Sequence, residues 1–172
     1  MIFRTERCHI RKLTNSDFEG FFELQSNPKV MLYTSDVVQT ETACRKDLNY
    51  LISQYDVRKP SLLVYAIISD AKDFIGTCAL VTGKNQIPEI GYRLCQAHWG
   101  QGYATEITKG LINYCKASLG IHQFEAYCYA SNKSSLRVLE KCGFQLEEEF
   151  INPDNGLPDR RYSYNFTSLK TL

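Results

Sequence analysis

The stretch His98-Trp99-Gly100-Gln101-Gly102-Tyr103-Ala104-Thr105-Glu106 decides how the rest of the chain is read. It follows a predicted strand, Glu89 to Cys95, and opens a predicted helix, Gln101 to Ala117. Two glycines and an alanine at a helix mouth leave backbone N–H groups uncovered by side chains. The first turn of a helix has unpaired donors and a partial positive charge, so such a mouth can hold a pyrophosphate. A tight turn whose glycines only relieve backbone strain gives the same local pattern. The flanking elements have to discriminate.

Upstream, Arg4 to Leu13 alternates as a first strand. Thr14 or Asn15 can cap a helix through about Gln25, ended by Asn27-Pro28. Thr40 caps a second helix, Glu41 to about Tyr55. Three strands follow, Ser61 to Ser69, Phe74 to Thr82 and Gln86 to Cys95, joined by turns short enough for an antiparallel meander. Downstream of the glycine loop and its helix, Phe124 to Ala130 is a strand. A helix separates it from Glu89–Cys95, so these two are predicted to be parallel neighbours. Asn132 starts a short helix, Lys133 to Lys141, and Phe144 to Ile151 with Arg161 to Phe166 form a final hairpin. The run Glu147-Glu148-Glu149 reads as the wet edge of a strand.

The bulk composition narrows the function classes. The chain has 172 residues, 44% apolar and 23% charged, which fits one domain with a real core. A net charge of +1 gives no footprint for a nucleic-acid partner. No apolar run reaches membrane-spanning length, and the start lacks a secretory pattern. The seven cysteines, Cys8, Cys44, Cys78, Cys95, Cys115, Cys128 and Cys142, are scattered through apolar segments with no zinc spacing. They read as buried reduced thiols, which predicts a cytoplasmic protein without a metal. His9, His98 and His122 have no mutual spacing that suggests a triad.

The order is therefore β-α-α-β-β-β-[glycine loop]α-β-α-β-β, an α/β (α+β) mixed sheet. Three segments in that order resemble the GCN5-related N-acetyltransferase (GNAT) family, nearest the subgroup of the ribosomal-protein N-acetyltransferases RimJ and RimL. They are Pro88-Glu89-Ile90-Gly91-Tyr92-Arg93-Leu94, Trp99 to Glu106, and Asn132-Lys133-Ser134-Ser135-Leu136-Arg137-Val138-Leu139-Glu140-Lys141-Cys142-Gly143-Phe144. The broad family opens its loop with Gln or Arg; Trp99 stands here, as aromatics do in the subgroup. The resemblance covers about Arg4 to Phe166 and implies a single N-acetyltransferase domain over 1–172. It implies a splayed central strand pair, Glu89–Cys95 and Phe124–Ala130, with acetyl-CoA as cosubstrate entering the gap. Backbone groups freed by the splay would pair with the peptide-like pantetheine arm. Tyr92, Arg93 and Leu94 would lie along that arm, with Asn132 at its side. Gly100, Gln101, Gly102, Tyr103, Ala104 and Thr105 would form the pyrophosphate loop.

Acetyl transfer needs a group to take a proton from the attacking amine, because a protonated alkylamine has no lone pair. Glu89, just before the expected splay, is the candidate base. A backbone N–H near Tyr92 or Arg93 could stabilise charge on the acetyl oxygen. Many relatives place a Tyr proton donor where this chain has Leu139. Ser135, one helical turn earlier on the same face, is the candidate to assist the leaving thiolate. Its competing role is to cap backbone donors in the first turn. Acceptor contacts are expected from Tyr33 and Asp36, between the first two helices, and from Asp159 in the last hairpin. The acceptor is a primary amine, either a protein N-terminus or a small molecule, attacked directly in a ternary complex by a monomer or homodimer.

Two other readings remain at this level. Gly100-x-Gly102-x-x-Thr105 approaches a dinucleotide fingerprint, with Glu125 about 20 residues on as a ribose ligand. Against that oxidoreductase reading stand Thr105 in place of the third glycine and the preceding meander. The loss of Tyr at 139 also fits a catalytically silent acyl-CoA-binding module.

Overall fold

The computed structural model describes residues 1–34, 37–83 and 86–166. Asp36 and the turn residues Lys84 and Asn85 lie outside the described residues. The strands are β1 (Phe3–Arg4), β2 (Cys8–Lys12), β3 (Leu62–Ser69), β4 (Phe74–Thr82), β5 (Pro88–Leu94), β6 (Gln123–Tyr129), β7 (Gln145–Ile151) and β8 (Pro158–Asn165). The helices are α1 (Phe18–Ser26), α2 (Pro28–Met31), α3 (Glu41–Ser53), α4 (Tyr103–Leu119) and α5 (Lys133–Lys141). All eight strands join one mixed sheet in the order β1-β2-β3-β4-β5-β6-β8-β7.

Helix starts follow local chemistry. Thr40 Oγ1 accepts from Ala43 N at the head of α3. Asn132 Oδ1 accepts from Ser135 N at the head of α5. Each cap satisfies a donor that the first turn leaves over. Before α1, Thr14 and Asp17 form a reciprocal capping box.

The first predicted strand, Arg4 to Leu13, is two strands folded into a hairpin. Thr5 N donates to Cys8 O and closes the turn. The reason lies far off in sequence: the Arg7 backbone and side chain both bond Glu106 of α4, which takes this segment off a straight path. Elsewhere the predicted elements stand within a few residues of their expected bounds, with α2 added after Asn27.

The sheet separates two cores. Ile10, Ile67, Ile90, Leu94, Ile107, Leu111, Phe124, Leu136 and Tyr162 pack between one face and α4 and α5. Leu13, Phe18, Phe21, Leu48, Leu51, Ala66 and Ile68 pack between the other face and α1 and α3. Each Leu, Ile or Phe among them contributes about 1.5–3 kcal/mol on full burial. All seven cysteines are free and buried, six in these two cores and Cys95 in a smaller cluster with Leu24 and Val30. No helix among the described residues is long and apolar enough to cross a membrane.

At β7, Glu147, Glu148 and Glu149 are exposed on the sheet's outer edge. Arg160 pairs with Glu149 and Arg161 with Glu148. Charge along an edge strand discourages edge-to-edge pairing.

Candidate active site

β5 is paired with β4 along its whole length, from Pro88↔Thr82 to Leu94↔Gly76. With β6 it shares a single parallel partner pair, Glu89↔Glu125. Beyond Glu89 the two strands diverge, as the family resemblance implied, and the edge of β5 from Ile90 to Leu94 loses its sheet partner. Buried backbone groups without partners are costly, so a peptide-like ligand is the natural complement of such an edge.

The divergence opens into a groove of about 550 Å³, lined by both strands, the glycine loop, the first turns of α4, and α5. Gly100 and Gly102 have φ of 73° and 85°, left-handed values that other residues rarely adopt. They turn the chain so that α4 begins at Tyr103, two residues later than predicted. The N–H groups of Gln101 through Thr105 find no acceptor among the described residues; the first ladder bond is Glu106 N to Gly102 O. A run of free donors at the positive end of a 17-residue helix fits a pyrophosphate.

Three contacts outside the loop hold it in shape. Trp99 Nε1 donates to Leu94 O at 2.8 Å, tying the loop to the end of β5. This gives the aromatic residue a structural role at its position. Gln101 Nε2 donates to Ala97 O at 2.8 Å. Arg7 Nη1 donates to Gln101 O, while Nε donates to Glu106 Oε2 at 2.7 Å and the guanidinium lies over the Tyr103 ring. Sequence reasoning missed Arg7 because its partners are remote in sequence.

The structure places the predicted site residues as follows. Tyr92, Arg93, Leu94, Gly100, Gly102, Tyr103, Ala104, Thr105, Asn132, Ser135 and Tyr33 line the groove. Glu89, Gln101 and Asp159 do not, although Gln101 contributes its N–H from the loop. Tyr92 Oη donates to Ser135 Oγ at 3.3 Å, inside the groove. Burial pushes the Tyr92 hydroxyl up to about 12, with the Ser135 contact pulling the other way. The pair joins β5 to α5 across the opening, a side-chain contact the sequence did not announce.

Glu89 lies at the point where the strands part, and its side chain shares a face with Glu125. Burial raises the Glu89 carboxyl above its ordinary value, and repulsion from Glu125 and Asp159 adds to that. Glu125 is buried and held by Arg161 at 3.2 Å and the Tyr127 hydroxyl at 3.2 Å. It lies on the sheet face away from α4, so it cannot serve as the ribose ligand of a nucleotide on the glycine loop. Asp159 is a buried strand residue whose Oδ2 accepts from Asn152 Nδ2 and whose Oδ1 accepts from Arg160 N.

A domain model described as acetyltransferase (GNAT) domain matches residues 7–145. An uncharacterized N-acetyltransferase p20 from Bacillus licheniformis is 30% identical over 145 residues, covering 83% of this chain and 82% of the other. A ribosomal-protein-serine acetyltransferase from Escherichia coli is 26% identical over 161 residues, covering 86% and 87%. A solved GNAT-family acetyltransferase from Bacillus anthracis superposes with a TM-score of 0.84 at 24% identity, covering 95% and 97%. That structural match speaks to the fold alone.

Proposed function

Because the chain belongs to the GNAT acetyltransferase family, and so is an N-acetyltransferase that takes its acetyl group from acetyl-CoA, we propose that transfer occurs in the groove between β5 and β6 by direct attack of an amine in a ternary complex. One observation carries the placement: the central strands are joined only at Glu89↔Glu125 and part beyond it toward a row of free N–H groups. The unpaired edge of β5 offers donors and acceptors to the pantetheine amides, in the manner of an added strand. The loop donors from Gln101 to Thr105, with Gly100 and Gly102 shaping the turn, take the pyrophosphate. Asn132 lies beside the arm. A single catalytic domain is the simplest reading of one sheet carrying both halves of the groove.

Glu89 is the proposed base. Its raised carboxyl is better matched to an amine proton than an ordinary carboxylate would be, since proton-transfer efficiency improves as the two pKa values approach. Ser135, backed by Tyr92, supplies the hydrogen bond that the departing sulfur needs, and this pair takes over the role a Tyr at position 139 would have. Tyr33 lines the acceptor side. The acceptor is an amine on a protein N-terminus or small molecule; the Escherichia coli relative's name, a ribosomal-protein-serine acetyltransferase, supports the protein option.

The test is Glu89→Gln, with thiol release and acetyl-CoA binding measured side by side. Loss of a general base predicts a fall in kcat of about 10²–10⁴-fold with acetyl-CoA affinity unchanged. Equal turnover by the variant would remove Glu89 from the chemistry. Acetyl-CoA binding by the native chain without thiol release toward any amine would favour a silent binding module.

A further inference from the structure

Arg93 is placed where a cation is costly. Its side chain leaves β5 on the face opposite α4 and reaches α1, where Nη1 donates to Gln25 Oε1 at 2.6 Å. Gln25 Nε2 donates in turn to Asp47 Oδ2 of α3 at 2.9 Å. A guanidinium has five N–H donors, and this one gives a single hydrogen bond, to a neutral amide. Among the described residues no carboxylate pairs with it; the ion pairs of the other arginines leave it out. Arg93 is half-buried and lines the groove. Burial pushes its pKa down, and the more distant Asp47 only partly offsets this. A cation in such a position lacks the compensation that buried charges ordinarily have.

Its neighbours on the same face are Gly91 and Glu89, because alternate strand residues share a face. A Cβ built on Gly91 would meet nothing within 4 Å, and Gly91 lines the groove. The Glu89 carboxyl makes no hydrogen bond or ion pair among the described residues, although its backbone is paired in the sheet. One face of β5 therefore presents, in order, an unspent carboxylate, bare backbone with open space above it, and a cation without a counter-ion. From residue 89 to 93 the backbone spans roughly 13 Å, which leaning side chains shorten.

We propose that the acceptor is an amine carrying a carboxylate. The carboxylate docks on Arg93, the body of the acceptor crosses Gly91, and the amine faces Glu89. Gln25 and Asp47 are positioning residues that fix the guanidinium. The other carboxylates near Glu89 are already engaged, Glu125 by Arg161 and Asp159 by Asn152, so the face offers little to a polycation. The inference rests on the reading of Glu89 as base, and it goes further by naming the acceptor class.

The experiment uses acetyl-CoA with acceptor pairs that differ only as carboxylate and carboxamide. The pairs are free amino acids against their amides, and short peptides with Glu or Gln near the N-terminus; spermidine is the polycation control. The carboxylate member is expected to be favoured by about tenfold or more in kcat/KM, mainly through KM. Arg93→Met should erase that preference by raising KM for the carboxylate member toward that of its amide, and Arg93→Lys should restore part of it. Gly91→Ala, whose added Cβ would meet nothing within 4 Å, should raise the KM of the acceptor. Equal use of both members, a preference for spermidine, or a preference that survives Arg93→Met overturns the inference. Loss of acetyl-CoA affinity in Arg93→Met assigns the cation to the coenzyme and overturns it equally. Binding of acetyl-CoA with turnover of none of these amines overturns the reading of the groove as a transfer site, and the inference with it.

Discussion

Glu89 combines two properties that usually conflict. Its carboxyl is raised by burial and by two acidic neighbours, so the folded chain holds that proton to higher pH than the unfolded chain does. The sign for stability follows: Glu89 lowers stability as pH rises from its unfolded value through its folded one. Glu89→Gln should therefore be at least as stable as the native chain at neutral pH, measured by urea denaturation, while losing turnover. With an acceptor whose own amine titrates well away from this range, kcat should rise with pH, its midpoint lying above the ordinary carboxylate value of 4.5. Tyr92→Phe and Ser135→Ala should each lower kcat by about 10-fold or less, since a hydrogen bond to the leaving sulfur contributes about 1 kcal/mol. The positions of Glu89 and the loop residues were legible in sequence because they sit beside local signals, a strand end and two glycines. Arg7, Gln25 and Asp47 were not, because each acts on a partner from another element. The Arg7–Glu106 contact joins residues 99 apart.

Among the elements, the start of α4 decides affinity for the coenzyme. Its N–H groups are useful only if the glycine loop keeps its shape, and that shape depends on Arg7 as well as on Gly102. Burial alone would raise the Glu106 carboxyl; its contacts with Thr5 and with the Arg7 backbone and side chain outweigh that and hold it below its ordinary value. Arg7→Ala removes the Nε and Nη2 contacts to Glu106 Oε2, the bond to Gln101 O and the cover over Tyr103, while the backbone bond to Glu106 Oε1 stays. It should weaken acetyl-CoA binding by about tenfold in calorimetry, in line with about 1.5–3 kcal/mol for charged hydrogen bonds, partly screened because the Arg7 side chain is 41% exposed. Rate at saturating acetyl-CoA should change little. Periodicity and caps placed α3, α5 and the meander to within a few residues. The first strand was misread as continuous because alternation carries no sign of a turn that a distant carboxylate pulls into place. The loop helix was started early because left-handed geometry at Gly102 postpones it.

At the scale of the whole molecule, the sheet is two sheets hinged at one partner pair. β1 to β5 form one half and β6, β8 and β7 the other, joined through Glu89↔Glu125. Motif order implied this split through a family resemblance; no composition or periodicity contains it, since it depends on which strand edges remain unpaired. Ligand binding should finish the sheet there. Amide hydrogen exchange with and without acetyl-CoA reads this directly, because amides that gain a partner are protected. Protection is predicted in Tyr92–Leu94 and Gln101–Thr105, with β1 to β3 unchanged. Protection confined to other segments, or no change at saturating acetyl-CoA, would contradict the account.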